Sequence, residues 1–369
     1  MKDNIAIDCF KLVKGEGKSI GIYNFTKNFI ENLALLNKYN IYIFGNQFNK
    51  NDFNVKGVKF IEIPIKVRNK FIYIIWELFL VNKYSLQYNI NLTIYPRGFI
   101  PLFSVSKTLN IVHDLIPLYY YHNYKDDINK LENFYIRNRL LSSIKNSDCI
   151  ISISQFTKNE ILQYYPNKSS SIKVIYNGYN KLINNNILEE KQEYIVAVSS
   201  ASLKHKNLKN IIKTYILYSQ KVTTPLKLHL IGVNNLDTVN IYIPHKIRNN
   251  IILYNYVSDK QYIEIMKNAK IFLFLSLIEG FGFPPIEAMN IGTAVICSNA
   301  TSLKEVVGNA GVLIDPNHIE LIVEKIIFVS NNKIYRNKLI KLGHENIKRF
   351  EWKKAIMKYE KEITTTLNM

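Results

Sequence analysis

The sequence predicts an α/β protein made of two Rossmann-like halves, and three observations carry that reading. Short apolar runs alternate with segments of helical period, the signature of strand and helix units on a mostly parallel sheet. The pattern runs once through the first half of the chain, breaks at the polar stretch Tyr179 to Gln192 with its Asn184-Asn185-Asn186 run, and then restarts. The length of 369 residues suits two domains of roughly 100 to 200 residues each.

In the first half, strands are expected at Asn4 to Asp8, Ile41 to Phe44, Lys59 to Ile63, Leu92 to Tyr95, Thr108 to His113, Cys149 to Ser152 and Lys173 to Ile175. Each is a short run rich in apolar and β-branched residues, as a strand buried on both faces requires. Helices are expected over Ile22 to Leu36 and Asn129 to Asn146. In the second half the order is strand Tyr194 to Val198, helix Asn207 to Ser219, strands Lys227 to Ile231 and Asn250 to Leu253, and helix Asp259 to Ala269. Strand Ile271 to Leu275, helix Ile286 to Asn290, strand Ala294 to Ser298 and two further helices follow. The domains are then 1–185 and 186–349, with a C-terminal helix, 350–369, that could pack back on the first domain. A ligand would sit in a cleft between the halves.

Composition narrows the function. Three cysteines, Cys9, Cys149 and Cys297, form no C-x-x-C pair, which argues against a disulfide framework or zinc knuckle and for a reducing, cytoplasmic setting. The first ten residues carry only a three-residue apolar patch, Ile5 to Ile7, before Asp8, so no signal peptide is expected. No apolar stretch approaches the roughly 20 residues of a membrane-spanning helix. The formal net charge is +19, but the lysines are scattered and come with an excess of Asn, Ile and Tyr, as codon composition alone would give. No nucleic-acid-binding pattern accompanies them. Lys66, Arg68, Lys70 and Lys83 flank the apolar, aromatic run Phe71 to Val81, interrupted only by Glu77. That run reads either as a helix on an anionic membrane surface or as a helix buried in the first domain.

Four places could carry chemistry. Gly15, Gly17 and Gly21 follow the first strand with G-x-G-x-x-x-G spacing, which differs from the dinucleotide fingerprint and lacks the ribose-binding acid about 20 residues on. An ordinary glycine-containing turn fits as well. The run Glu279-Gly280-Phe281-Gly282-Phe283-Pro284-Pro285-Ile286-Glu287 follows a buried strand, at the carboxyl end where open α/β sheets bind ligands. The prolines suit a helix start and would put Glu287 in its first turn and Glu279 in the glycine loop. Both carboxylates could accept hydroxyl groups, although Glu287 also fits simple complementarity to the helix dipole. Lys206 precedes the helix from Asn207, an arrangement suited to a diphosphate but unremarkable in so lysine-rich a chain. His113 and Asp114 close a strand, either as a hydrogen-bonding pair or with Asp114 capping a turn over His113. No D-x-D and no clustered His/Cys set occurs, so neither metal nor other cofactor is expected.

Taken together, these residues resemble the family-4 retaining glycosyltransferases (glycosyl transferases group 1), bacterial mannosyltransferases among them. These have the GT-B fold of two Rossmann-like domains facing across a cleft. Glu279 to Glu287 reproduces the family's pair of glutamates separated by seven residues, continued by Ala288-Met289, Gly292-Thr293, Ser298-Asn299 and Leu303 to Gly311. Supporting stretches are Gly21-Ile22-Tyr23, His113 to Pro117, Ser152 to Lys158, Ile175 to Gly178, Lys206-Asn207-Leu208 and Phe350-Glu351-Trp352. The resemblance implies that Lys206 binds the donor diphosphate and Glu287 the ribose. It implies that Glu279 contacts the transferred sugar, that the amides of Gly280, Phe281, Gly282 and Phe283 line sugar and phosphate, and that Tyr256 and Val257 hold the nucleobase. His113 would lie near the reacting sugar carbon. Two departures stand out: Ser200 and Ala201 occupy positions where an arginine is common, leaving Lys204 as a substitute, and Asn255 stands where glycine is usual. The implied activity is transfer of a hexose from a nucleotide-sugar to a glycan or lipid-linked acceptor in polysaccharide synthesis, by a cytoplasmic enzyme that could sit at the inner membrane face. A dinucleotide-dependent oxidoreductase and a noncatalytic sugar-nucleotide binding protein are the alternatives.

Overall fold

The computed structural model describes residues 2–14, 20–65, 67, 69–124, 129–180 and 191–369. They form two compact units, one of residues up to Tyr179 together with Phe350–Met369, the other of Asn180–Arg349.

The first unit is built on strands β1 (Asn4–Asp8), β2 (Asn40–Gly45), β3 (Val58–Glu62), β4 (Leu92–Tyr95), β5 (Lys107–Val112), β6 (Cys149–Ser152) and β7 (Ile172–Val174). They lie in the order β3-β2-β1-β4-β5-β6-β7, every pair parallel. The order reverses between β1 and β4, which marks the carboxyl edge there as the natural ligand crevice. All four residues of β4 and of β6 are buried, which explains why these strands read as unbroken apolar runs. Trp352, at the start of the helix Trp352–Leu367, lies over Gly178, where a Cβ would come 2.2 Å from its indole. Farther along, Tyr359 packs edge-on against Phe29 of the helix Ile20–Leu35, ring centroids 4.9 Å apart.

Two expectations change in this unit. Gly21 lies in the first turn of the helix Ile20–Leu35 rather than in a loop, and a Cβ there would meet nothing within 4 Å among the described residues, so none of these demands glycine by close approach. Gly15 and Gly17 fall outside the described residues. The run Phe71 to Val81 is helical, within segments Lys70–Ile75, a π-helical turn Trp76–Leu80, and Val81–Gln87. Trp76, Glu77 and Val81 are buried on one face, yet Phe71 is 78% exposed, and Ile75 and Phe79 also face solvent. The segment is therefore neither wholly core nor wholly surface.

The second unit carries β8 (Gln192–Val198), β9 (Lys227–Ile231), β10 (Ile251–Tyr254), β11 (Ala269–Phe274), β12 (Ala294–Ser298) and β13 (Val312–Ile314) in the order β10-β9-β8-β11-β12-β13, again parallel. Alternate residues of each strand feed two cores: Ile195, Leu228, Leu230, Ile271 and Ile296 on one face, and Tyr194, Val196, Phe272, Phe274 and Cys297 on the other. Here the order reverses between β8 and β11. Among the described residues no helix is long and apolar enough to cross a membrane.

Candidate active site

The loops leaving β8 and β11 flank the switch point of the second sheet, and these two loops carry Lys206 and Glu279. After β8 the chain makes a short helical turn, Lys204–Lys206, and Asn207 then adopts a left-handed conformation (φ 55°) that starts the helix Leu208–Lys221. The Asn207 amide donates to Leu275 O at 3.0 Å, and Leu277 N donates to His205 O at 2.8 Å, so the two loops are stitched together. Lys206 Nζ thereby donates to Glu279 Oε1 at 2.6 Å and lies 5.5 Å from the Phe274 ring centroid. Glu279 is buried and Lys206 half-buried. Desolvating two such charges offsets most of their attraction, so the pair adds little to folding.

The glycine loop is held from outside by residues with no motif of their own. Ser302 Oγ donates to Glu279 O at 2.8 Å and to Phe281 O at 3.1 Å, while Glu279 N donates to Thr301 Oγ1 at 3.1 Å. Gly282 has φ 96°, which favours glycine, and a Cβ there would reach Leu303 Cδ2 at 2.5 Å. On the β8 side, Ser199 Oγ donates to Lys206 O at 3.2 Å, and a Cβ on Gly232 would come within 2.4 Å of Ser199 O. Gly232 directly follows β9, a signal legible in sequence; Ser199, Thr301 and Ser302 carried none.

Glu287 is placed differently from expectation. The helix is Phe283–Ile291, with no acidic residue in its first turn, so Glu287 sits at its fifth position. Gly282 lets the helix begin at Phe283, and both prolines fall where backbone N–H groups have no helical partner in any case. Burial raises the Glu287 carboxyl above its ordinary range, partly offset by the hydrogen bond from Tyr262, whose hydroxyl donates to Oε2 at 2.6 Å. Past β10, Tyr256 is 88% exposed and Val257 is half-buried against the core. Lys204 is exposed beside Lys206.

In the first unit, His113 follows β5 and is buried, with Nε2 3.0 Å from Pro96 O and its ring edge-on to Phe25 at 4.9 Å. A carbonyl can only accept, so Nε2 carries the proton. Burial pushes the imidazole down to about 4, so it is neutral at pH 7. Asp114 Oδ1 accepts from Ile116 N at 2.9 Å, the turn-capping contact that was one of the two readings of this pair. No group of three or more metal-ligating side chains occurs among the described residues.

The fold is GT-B, with two Rossmann-like units, and the second carries Lys206 and Glu279 at its switch point. The family comparisons agree. The family model described as Glycosyltransferase Family 4 matches residues 21–181, and that described as Glycosyl transferases group 1 matches residues 180–346. The chain belongs to this family. It is 27% identical over 231 residues to O-antigen chain mannosyltransferase B of Escherichia coli, covering 59% of this chain and 61% of that one. With O-antigen chain mannosyltransferase RfbU of Salmonella typhimurium it is 28% identical over 210 residues, 56% of each. The chain thus spans about three-fifths of the length of these relatives. Among solved structures, a sucrose-phosphate synthase from Thermosynechococcus elongatus shares the fold, with TM-score 0.71 and 15% identity over 99% of both chains.

Proposed function

We propose that this chain is a retaining, metal-independent hexosyltransferase that moves a hexose, mannose before others, from a nucleotide-sugar to a glycan or lipid-linked acceptor in cell-surface polysaccharide synthesis. The observation that carries the reading is the Lys206–Glu279 pair at the carboxyl edge of the second sheet, 2.6 Å apart and braced by Ser199 and Ser302. The names of the O-antigen mannosyltransferase relatives support the choice of sugar and product.

Breaking the anomeric bond builds negative charge on the departing diphosphate. Lys206, with the amides of Gly280 to Phe283 and the start of the helix Phe283–Ile291, is the preorganised donor set that stabilises it. Glu279 then accepts hydroxyl groups of the transferred sugar, Glu287 those of the ribose, and Tyr256 and Val257 hold the base. His113, neutral with its proton on Nε2, serves as a hydrogen-bond acceptor through Nδ1 rather than as an acid. Retention follows if the acceptor hydroxyl enters on the face the diphosphate leaves. The exposed Phe71, Ile75 and Phe79, next in sequence to Lys66, Arg68 and Lys70, support contact with an anionic bilayer, where a lipid-linked acceptor would be found.

The test is product formation from a panel of nucleotide sugars with and without EDTA. Transfer from a nucleotide-hexose that persists in EDTA supports the reading. Transfer that stops in EDTA and returns with magnesium or manganese contradicts its metal-independent part, and absence of any transfer contradicts the whole.

A further inference from the structure

We infer that the first unit holds a site for an anionic oxygen group of the acceptor, a phosphate or a carboxylate, which binds Arg97 and Lys11 while the free oxygen of Asp8 accepts a neighbouring hydroxyl. The inference rests on the glycosyltransferase reading above and adds the chemistry by which the acceptor is recognised.

The position comes from topology. β1 and β4 are the neighbours between which strand order reverses, and their register pairs Ile7 with Ile94. Asp8 and the segment Tyr95-Pro96-Arg97 therefore leave the sheet side by side at its carboxyl edge. Next along that edge, His113 follows β5 and bonds Pro96 O.

The contacts within this cluster are unequal. Asp8 uses one oxygen fully: Oδ1 accepts from Trp76 Nε1 at 3.0 Å and from Phe10 N at 3.2 Å, while Oδ2 has no partner among the described residues. Glu77, buried on the adjoining helix, is compensated twice, by Lys11 Nζ at 3.1 Å and Arg139 Nε at 3.6 Å. Lys11 also lies 3.5 Å from the Tyr73 ring centroid, so its ammonium is fixed in place. Arg97 is the exception. Half-buried, it makes no hydrogen bond or ion pair among the described residues; the Phe99 ring lies 5.8 Å away, and its charge is felt at Asp8 and Lys11. A guanidinium carries five N–H donors in a planar fork that matches the paired oxygens of a carboxylate or phosphate.

The charge balance is positive: the cations Lys11, Arg97 and Arg139 outnumber the carboxylates Asp8 and Glu77. Burial, and after it the charge of Arg97, holds the Lys11 ammonium down to about 8, so the two cations work against each other. An anion between them removes that repulsion and supplies the planar oxygen pair the Arg97 fork lacks. Asp8, raised to about 6 by burial, is held at the same edge for a hydroxyl donor. A neutral sugar would leave the Arg97 fork unmatched.

The test uses the full chain and four probes: glycerol 3-phosphate, glucuronate, neutral glycerol, and GDP as a control for the second unit. Calorimetric titration should show glycerol 3-phosphate or glucuronate binding at least tenfold more tightly than glycerol, and the tighter of the two identifies the anion. Arg97→Ala should weaken that binding about 10- to 100-fold, with Arg97→Lys intermediate, while GDP binding stays as in wild type. Should Arg97→Ala fail to fold, Arg97→Lys and the loss of affinity with added salt in wild type decide. Charged probes no better than glycerol, or unchanged in the Arg97 variants, overturn the inference. Failure of wild type to bind any of GDP, UDP and ADP would instead count against the glycosyltransferase reading.

Discussion

Lys206 Nζ and Glu279 Oε1 lie 2.6 Å apart, although 73 residues separate them in the chain. The two loops that leave neighbouring strands at the switch point bring them together. Replacing either by Ala should lower turnover on the order of 10²-fold or more, as loss of one preorganised electrostatic contact does, while far-UV circular dichroism stays that of wild type. Near wild-type turnover in both variants would show that the pair is not at the reacting centre.

Gly282 and Gly21 should respond oppositely to alanine. At φ 96° and facing Leu303, Gly282→Ala should cost about 1–3 kcal/mol of unfolding free energy in denaturant titration and weaken donor binding. Gly21→Ala, in an open helical turn, should be neutral or stabilise by up to about 1 kcal/mol. Equal effects at both positions would contradict the loop geometry.

His113 makes stability pH-dependent. Its folded-state value of about 4 lies below the ordinary 6.5, so the unfolded chain binds the extra proton first as pH falls. The contribution is complete above pH 6.5 and is lost as pH drops toward 4, at most about 3 kcal/mol. His229 shifts the same way, and Asp8 the opposite way. The difference between wild type and His113→Asn cancels both. Unfolding at pH 7.5 and pH 5 should show wild type losing more stability than the variant; equal losses would mean that His113 is not held neutral by burial.

Much of this architecture could be read from sequence because parallel strands buried on both faces appear as continuous apolar runs. Leu92 to Tyr95, Cys149 to Ser152, Lys227 to Ile231 and Ala294 to Ser298 were placed to the residue. β13 was missed because Val312–Ile314 is too short to show a period, and the helix Ile116–Asn123 because its Tyr-rich sequence has no apolar stripe. In the site, the glycines and prolines around Glu279 mark a strand-to-helix turn by themselves. Tyr262, Thr301 and Ser302 were invisible for the opposite reason: they act through contacts 22 to 25 residues away along the chain, and nothing local distinguishes them. Glu287 was misplaced by counting the helix from its prolines rather than from Phe283.

The half-exposed helix around Phe79 predicts association with anionic bilayers. Wild type should float with anionic vesicles at low salt and detach at high salt. Lys66, Arg68 and Lys70 changed to Glu, or Phe71 and Phe79 changed to Ser, should float less while remaining folded. Failure of wild type to float, or equal flotation with neutral vesicles, would contradict electrostatic anchoring.

The central claim is that the second unit binds a nucleotide-sugar through Lys206, and thermal unfolding with GDP, UDP, ADP and NAD tests it most directly. Ligand at about 100 times its Kd adds about 2.7 kcal/mol, enough to raise the midpoint by a few degrees. At least one nucleoside diphosphate should protect wild type to this extent, NAD should not, and Lys206→Ala should lose most of the protection. Protection by NAD alone, or by no nucleotide at all, would contradict the account.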